Sequence, residues 1–359
     1  MADGVTPPEG GLTPEELQLA ARNHGMPLEA LRHGITPVGL HYLLIHYDIP
    51  VVDPTAWRLR LGGAVDLELE WTLDDLRRRS DTVTAPVTME CAGNGRARLD
   101  PRPISQPWLL EAVGNAAWTG VPLRALLDEA RVQDGAVEVL FTGLDRGVEG
   151  GVEQQYERSV PLDVARSDDL LLAYAINGQP LPPQHGFPLR LLVPGWYGMA
   201  SVKWLTQITV LDTPHAGYQN ATAYRWRTDA DDPGEPLTRI EPRALLAPPG
   251  IPDFMTRRRF LDAGPVTLEG RAWSGWGEVD RVEVSTDDGA TWTAAELGIP
   301  VGPQSWTPWR VQWEAEPGEH VLCCRAGDTS GRSQPDAPRW NVGGYANTAV
   351  QRVPVTVRA

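Results

Sequence analysis

From Pro265 to the C-terminus the apolar residues alternate with period two; before about residue 229 both strand-like and helical spacings occur. This contrast constrains the chain more than any other feature. Successive side chains on a strand point to opposite faces, whereas one face of a helix recurs every three to four residues. Val282-Glu283-Val284-Ser285 alternates, Asp287-Asp288-Gly289 turns, and Thr291-Trp292-Thr293 resumes the pattern, which reads as a hairpin. Val321 to Arg325 and Val353 to Val357 alternate in the same way. Short strands at this spacing predict an immunoglobulin-like β-sandwich over residues 264–359.

The stretch 36–235 has a different character. Short apolar strands are expected at Trp57–Leu61, Ala85–Met89, Val137–Phe141, Leu189–Val193 and Val202–Val210. Helices are expected at Leu73–Arg79, capped by Thr72, and at Pro122–Ala130, opened by proline. There is no strict strand–helix–strand rhythm, so the fold class is α+β rather than a doubly wound sheet. No GxGxxG follows a strand and no Walker motif is present, which argues against a nucleotide cofactor of those kinds. Acidic Asp229 to Pro236 and the breaker cluster Ala247-Pro248-Pro249-Gly250 predict a linker over residues 236–263. Residues 1–35 read as an N-terminal arm with one helix, started by Thr13-Pro14-Glu15-Glu16.

The chain of 359 residues carries a formal net charge of −15, a field that repels nucleic acid and anionic membrane, so neither is expected as a partner. The longest apolar stretch, Leu170 to Ile176, is far short of a bilayer span. Met1 to Gly11 has neither the basic nor the apolar region of an export signal, so a cytoplasmic location is expected. Cys91 stands alone and Cys323 and Cys324 are adjacent; these three make no disulfide framework, and no CxxCH haem-attachment motif occurs. Lys and Arg total 32, yet Lys203 is the sole lysine.

Two segments could carry chemistry. In Thr88-Met89-Glu90-Cys91-Ala92-Gly93-Asn94-Gly95-Arg96 a strand runs into a small-residue loop with Cys91 at the junction. A lone cysteine is by default a small buried hydrophobe; as a thiolate here it would instead bind a soft metal or act as a nucleophile. The second segment runs from His185-Gly186-Phe187-Pro188-Leu189-Arg190 through Pro194-Gly195-Trp196-Tyr197-Gly198 to Ser201-Val202-Lys203-Trp204. Exposed backbone N–H groups beside Arg and Lys suit a phosphate or another anion, and the alternative is an ordinary turn. Where arginine serves everywhere else, one retained ammonium suggests a need for a compact donor. His41 and His46, five apart, would fall on opposite faces of a strand and so would not pair on one metal.

Taken together, these segments resemble the sulfite oxidase family of molybdenum enzymes, from about Thr36 to the C-terminus. The carriers are Glu90-Cys91-Ala92-Gly93-Asn94, Trp108 and Trp118 downstream of it, Leu172-Ala173-Tyr174 with Asn177-Gly178-Gln179-Pro180-Leu181, and His185-Gly186-Phe187-Pro188 to Val202-Lys203-Trp204-Leu205. Trp273-Ser274-Gly275, Arg281 to Ser285 and Trp340-Asn341 are similar to the family's immunoglobulin-like dimerisation domain. The resemblance implies one molybdenum–molybdopterin, with Cys91 as the protein's metal ligand and a catalytic residue. It implies that His46, His185, Arg190, Ser201, Val202 and Lys203 bind the cofactor. Arg96 would serve an anionic substrate, and Tyr224 would be the active-site tyrosine. A homodimer is implied, without haem, passing electrons to an external cytochrome or oxygen. Two positions depart from the family: Leu44 and Gly343 stand where arginines of the anion pocket are expected. Arg98 or Arg225 is a candidate replacement. The expected activity is oxo transfer to sulfite or a related small substrate. The alternatives are reduction of an oxide such as a sulfoxide and, in a different class, a cofactor-free binding protein.

Overall fold

A computed structural model describes residues 11–359. The helix expected in the N-terminal arm forms: Thr13 and Glu16 make a reciprocal capping box on Pro14–Arg22, while residues 1–10 of the arm lie outside the described residues. Glu16 is fully buried and ion-paired with Arg102, which ties the arm to the following domain. Asn23 adds a second tie, donating to Gln106 Oε1 at 2.9 Å and accepting from the Ile45 amide at 2.7 Å. This places the irregular segment 41–48 against the body of the domain.

Two sheets build the first domain. One runs, in spatial order, Leu69–Trp71, Leu59–Gly63, Leu205–Leu211, Glu138–Glu149, Val152–Pro161. It is mixed, because Leu59–Gly63 lies parallel to Leu205–Leu211 while its other pairs are antiparallel. The other sheet is antiparallel: Val83–Glu90, Val113–Pro122, Leu171–Ile176 and Gln179–Pro180, with Arg190–Leu192 also on Leu171–Ile176. The expected helices form as Leu73–Arg77, with Thr72 as its capping residue, and Leu123–Ala130. They press Leu73, Leu76, Leu123, Leu126 and Leu127 into a core shared with Leu59, Phe141 and Ile208. The segment expected as a strand from Val202 begins only at Leu205; residues 198–204 stay in the loop that binds back onto the sheet.

The C-terminal region is a β-sandwich of a four-stranded and a six-stranded sheet around Leu268, Val282, Val284, Trp309, Leu322 and Val355. The hairpin forms between Val279–Ser285 and Thr293–Ala294, as the alternation implies. The stretch expected as a linker does more than connect. Arg243–Leu246 pairs with Gly264–Trp273, and Arg259–Asp262 pairs in parallel with Gln351–Arg358. The short strand Ile251–Pro252 pairs with Arg259–Asp262 as well, so breaker residues concealed three sandwich strands.

The two domains share a core that contains Ala92, Tyr197, Tyr224, Leu245, Trp273 and Trp306. At its centre Glu90, fully buried, meets Arg243 Nε of the sandwich at 3.0 Å and accepts from Trp273 Nε1 at 2.8 Å. The loop that follows Glu90 is therefore set by both domains.

Candidate active site

The cysteine loop begins where the strand Val83–Glu90 ends. Cys91 N donates to Ala112 O at 2.9 Å, and Asn94 N and Arg96 N close tight turns onto Cys91 O and Gly93 O, each at 3.0 Å. Asn94, almost fully buried, holds the loop from inside by donating to Glu90 Oε1 and accepting from the Ala112 amide. Gly95 sits at φ +91, which a side chain would strain, and Asn347 of the sandwich donates to its carbonyl at 2.8 Å. Burial pushes the Cys91 thiol up; the Arg96 charge and the Gly93 amide work the other way.

Cys91 lines a cavity with Tyr42, Met89, Asp145, Tyr156 and Met199, and with six of the residues read from the sequence: His46, His185, Arg190, Ser201, Lys203 and Tyr224. Val202 and Arg96 do not line it. The Val202 side chain turns into the core of the first domain. Arg96 is buried behind the loop, donating through Nε to Gly343 O and through Nη1 to Gln106 O, each at 2.9 Å.

Arg190 and Lys203 are positioned by backbone carbonyls. Arg190 donates to His185 O at 3.1 Å and Ser201 O at 3.2 Å, and its Nε is buried without a partner. Lys203 Nζ donates to Leu44 O at 2.7 Å and Gln184 O at 3.1 Å. Burial brings Arg190 down to about 10; burial, with Arg190 nearby, brings Lys203 down to about 7. His46 faces Glu149 at 3.5 Å, and Tyr47 O–H donates to the same carboxylate at 2.8 Å. Burial raises Glu149, but His46, Tyr47 and Gln219 outweigh it and hold the carboxyl at about 2.

His41 corrects the sequence reading. Segment 41–48 is not a strand, so alternation does not separate His41 from His46, and both line the cavity. The His41 ring stands edge-on to His185 at 5.8 Å. Burial, the largest cause in each case, takes His41 down to about 4 and His185 to about 2, so both are neutral at pH 7. The proposed replacements for the missing arginines are also elsewhere. Arg225 is spent on the carbonyls of Pro233, Gly234 and Asn220, and neither it nor Arg98 lines the cavity.

Sequence reasoning missed Asp145 and Arg158. Asp145 lies where the pairing of Glu138–Glu149 with Val152–Pro161 shifts register between Thr142 and Arg146, and an irregularity of this kind re-aims a side chain. Its Oδ1 is buried without a partner beside the cavity, and burial raises the carboxyl to about 6. Arg158 is 2% exposed; it donates to the carbonyls of Gln219 and Leu237 and lies 5.6 Å from the Tyr224 ring centre.

Arg190 and Lys203 thus line the cavity and Arg96 and Arg158 are buried behind its wall; among the described residues none of the four has a carboxylate within 4.0 Å. Unpaired buried charge costs several kcal/mol. A set of four is the electrostatic mould of an anion. No cluster of three or more His, Cys, Asp or Glu that could hold a metal occurs among the described residues. This arrangement defines a class: a first-domain cavity with one cysteine thiol and a set of cationic groups suited to an anionic ligand.

The comparisons name that class. Residues 46–219 match the oxidoreductase molybdopterin binding domain, and residues 253–358 match the Mo-co oxidoreductase dimerisation domain. Sulfite oxidase of Gallus gallus is 35% identical over 89% of this chain and 72% of its own length. Nitrate reductase [NADH] of Solanum lycopersicum is 32% identical over 93% of this chain, which spans only 40% of that protein. The structure of the sulfane dehydrogenase SoxCD from Paracoccus pantotrophus matches with a TM-score of 0.79 at 27% identity, covering 93% of this chain and 86% of that one. The chain belongs to the sulfite oxidase family of molybdopterin-dependent oxidoreductases.

Proposed function

We propose that this protein catalyses two-electron oxo transfer on a small substrate, sulfite or a related compound. Water is the oxygen source, and the electrons pass to an external acceptor, a cytochrome or oxygen. The observation that carries this reading is that Cys91 shares one cavity with Arg190 and Lys203, while Arg96 and Arg158 lie buried behind it. The molybdenum cofactor, when bound, supplies the two-electron redox couple and the exchangeable oxygen. The chain does the rest. Cys91 would be the residue that holds the metal, as a thiolate whose charge the metal would offset against the penalty of burial. Arg190, Lys203, His185 and Ser201 hold the pterin and its phosphate, with Asp145 and His46 offering acceptor and donor atoms on the same wall. Arg96 supplies positive potential behind the substrate position. Tyr224 keeps its phenol proton, because burial raises it well above the usual range, and donates it as a hydrogen bond to the substrate oxygen. The dimerisation domain supports a homodimer as the working unit.

A second reading is the reverse reaction, reduction of an oxide such as a sulfoxide; Leu44 and Gly343 favour it, since each removes a guanidinium. Metal and pterin analysis of the purified protein beside Cys91→Ser tests the common ground. About one molybdenum per chain, with a charge-transfer band changed or lost in the variant, is the expected result. Absence of both metal and pterin, from a host that makes the cofactor, sinks both readings. Turnover of sulfite with ferricyanide, against a sulfoxide with reduced viologen, then separates the directions.

A further inference from the structure

Gly343 is small for a reason that the structure makes visible. A Cβ there would overlap the Tyr345 ring, and the three nearest heavy atoms to it all belong to that ring. Gly343 is not among the glycines with positive φ, so its backbone would accept a side chain; only the tyrosine forbids one. The ring is held in place deliberately. Asn341, fully buried, donates to Tyr345 O at 2.8 Å and accepts from Tyr345 N at 2.9 Å, while the next residue, Ala346, docks on Ala92 O at 2.8 Å. The Tyr345 ring centre lies 5.3 Å from that of Tyr224 and 5.1 Å from the Arg96 guanidinium carbon. Arg96 in turn spends its Nε on Gly343 O. Leu44 lines the cavity with an apolar side chain, and its carbonyl is occupied by Lys203.

We propose that Tyr345, seated in the space above Gly343, is the specificity-determining residue of this site, and that with Leu44 it selects an uncharged or singly charged sulfur centre on an apolar body over a compact dianion. The inference rests on the oxo-transfer reading above and names its substrate class. Tyr224 and Leu44 line the cavity, and Tyr345 backs the Tyr224 ring from behind that wall. A dianion needs several donors to replace its lost hydration, and each missing charged hydrogen bond is a loss. The two phenols and Leu44 bring no cationic donor, but they do pack against an alkyl or aryl group. The buried Arg158 behind Tyr224 and the half-spent Arg96 leave enough positive potential for one negative charge.

The test uses the molybdenum-loaded enzyme, wild type, Tyr345→Ala and the double variant Gly343→Arg with Tyr345→Ala. Sulfate, an inert dianion, is the binding probe in calorimetry. Sulfite and benzenesulfinate are compared by kcat and KM with ferricyanide, and methyl phenyl sulfoxide with reduced viologen. The wild type should bind sulfate weakly and turn over an organosulfur probe with the higher kcat/KM. The double variant should bind sulfate roughly tenfold tighter or more, lower KM for sulfite and raise KM for the organosulfur probe. Tyr345→Ala alone should weaken the organosulfur probe without tightening sulfate. Tight sulfate binding and preferred sulfite turnover in the wild type overturn the inference and leave oxo transfer standing. Molybdenum-loaded enzyme inactive on every probe overturns the oxo-transfer reading instead. If the double variant does not fold, Tyr345→Leu, which keeps an apolar wall, must retain the organosulfur preference, and a switch to sulfite refutes the role of the wall.

Discussion

Replacing Arg243 with leucine should cost more stability than any surface change in the chain. Its side chain is 1% exposed and that of Glu90 0%, with Nε and Oε1 3.0 Å apart. Removing the guanidinium leaves a carboxylate in the shared core with only Trp273 Nε1 and Asn94 Nδ2 as donors. Breaking a buried pair from one side typically costs about 3–5 kcal/mol. At roughly 2–4 °C per kcal/mol for a unit of 150–250 residues, the midpoint should fall by about 6–20 °C. The lost contacts to the Asn94 and Asn347 carbonyls add to this. The double variant Glu90→Gln, Arg243→Leu removes both charges and should recover about 2 kcal/mol or more of the loss. Guanidinium titrations of the four proteins, followed by circular dichroism and tryptophan fluorescence, measure the cycle. A loss below about 1 kcal/mol for Arg243→Leu, or additive losses with no coupling, would refute the claim that this pair is the electrostatic hinge of the two domains. Because Cys91 directly follows Glu90, the single variant should also lose molybdenum, and the double variant should lose less.

Two further outcomes follow from the site. His41 and His185 stay neutral when folded to about pH 4 and about 2, whereas an unfolded histidine takes up its proton near 6.5. The unfolded state thus binds more protons below that pH, and stability present above about 6.5 is lost on acidification at a slope approaching 1.4 kcal/mol per pH unit for each histidine; in the cofactor-free protein His41→Gln should be shallower by about that much between pH 6 and 4.5, and equal slopes would count against a neutral buried His41. Gly186 has φ +103, and a Cβ there would meet Lys203 Cβ at 2.9 Å, so Gly186→Ala should shift the ammonium and lower the pterin content of the purified protein several-fold, while unchanged content would show that Lys203 is free to move.

Local signals in the chain were read well wherever the determinant is local. Thr13 and Thr72 cap helices because the hydroxyl accepts from the amide three residues on while the acid there accepts from the threonine's own amide. The Val279–Ser285 hairpin forms because alternation and an Asp-Gly turn agree. The misreadings share a different cause. Arg243–Leu246 and Arg259–Asp262 hide between breakers, and only their partners, Gly264–Trp273 and Gln351–Arg358, make them strands. His41 and His46 were separated by an alternation that segment 41–48 does not have, since the N-terminal arm and the Lys203 ammonium hold it as an irregular wall.

The amino-acid sequence by itself determined the mixed domain followed by a sandwich, the loop that presents Cys91, and the retention of a single lysine at position 203. Each is written in periodicity, turn chemistry or residue type over a few neighbours. Tertiary structure alone decided that Asp145 is aimed into the cavity, that Arg158 lies beneath Tyr224, and that Tyr345 fills the space above Gly343. Those facts depend on strand register and on side-chain packing, where volume and unpaired charge act and local propensity carries no information.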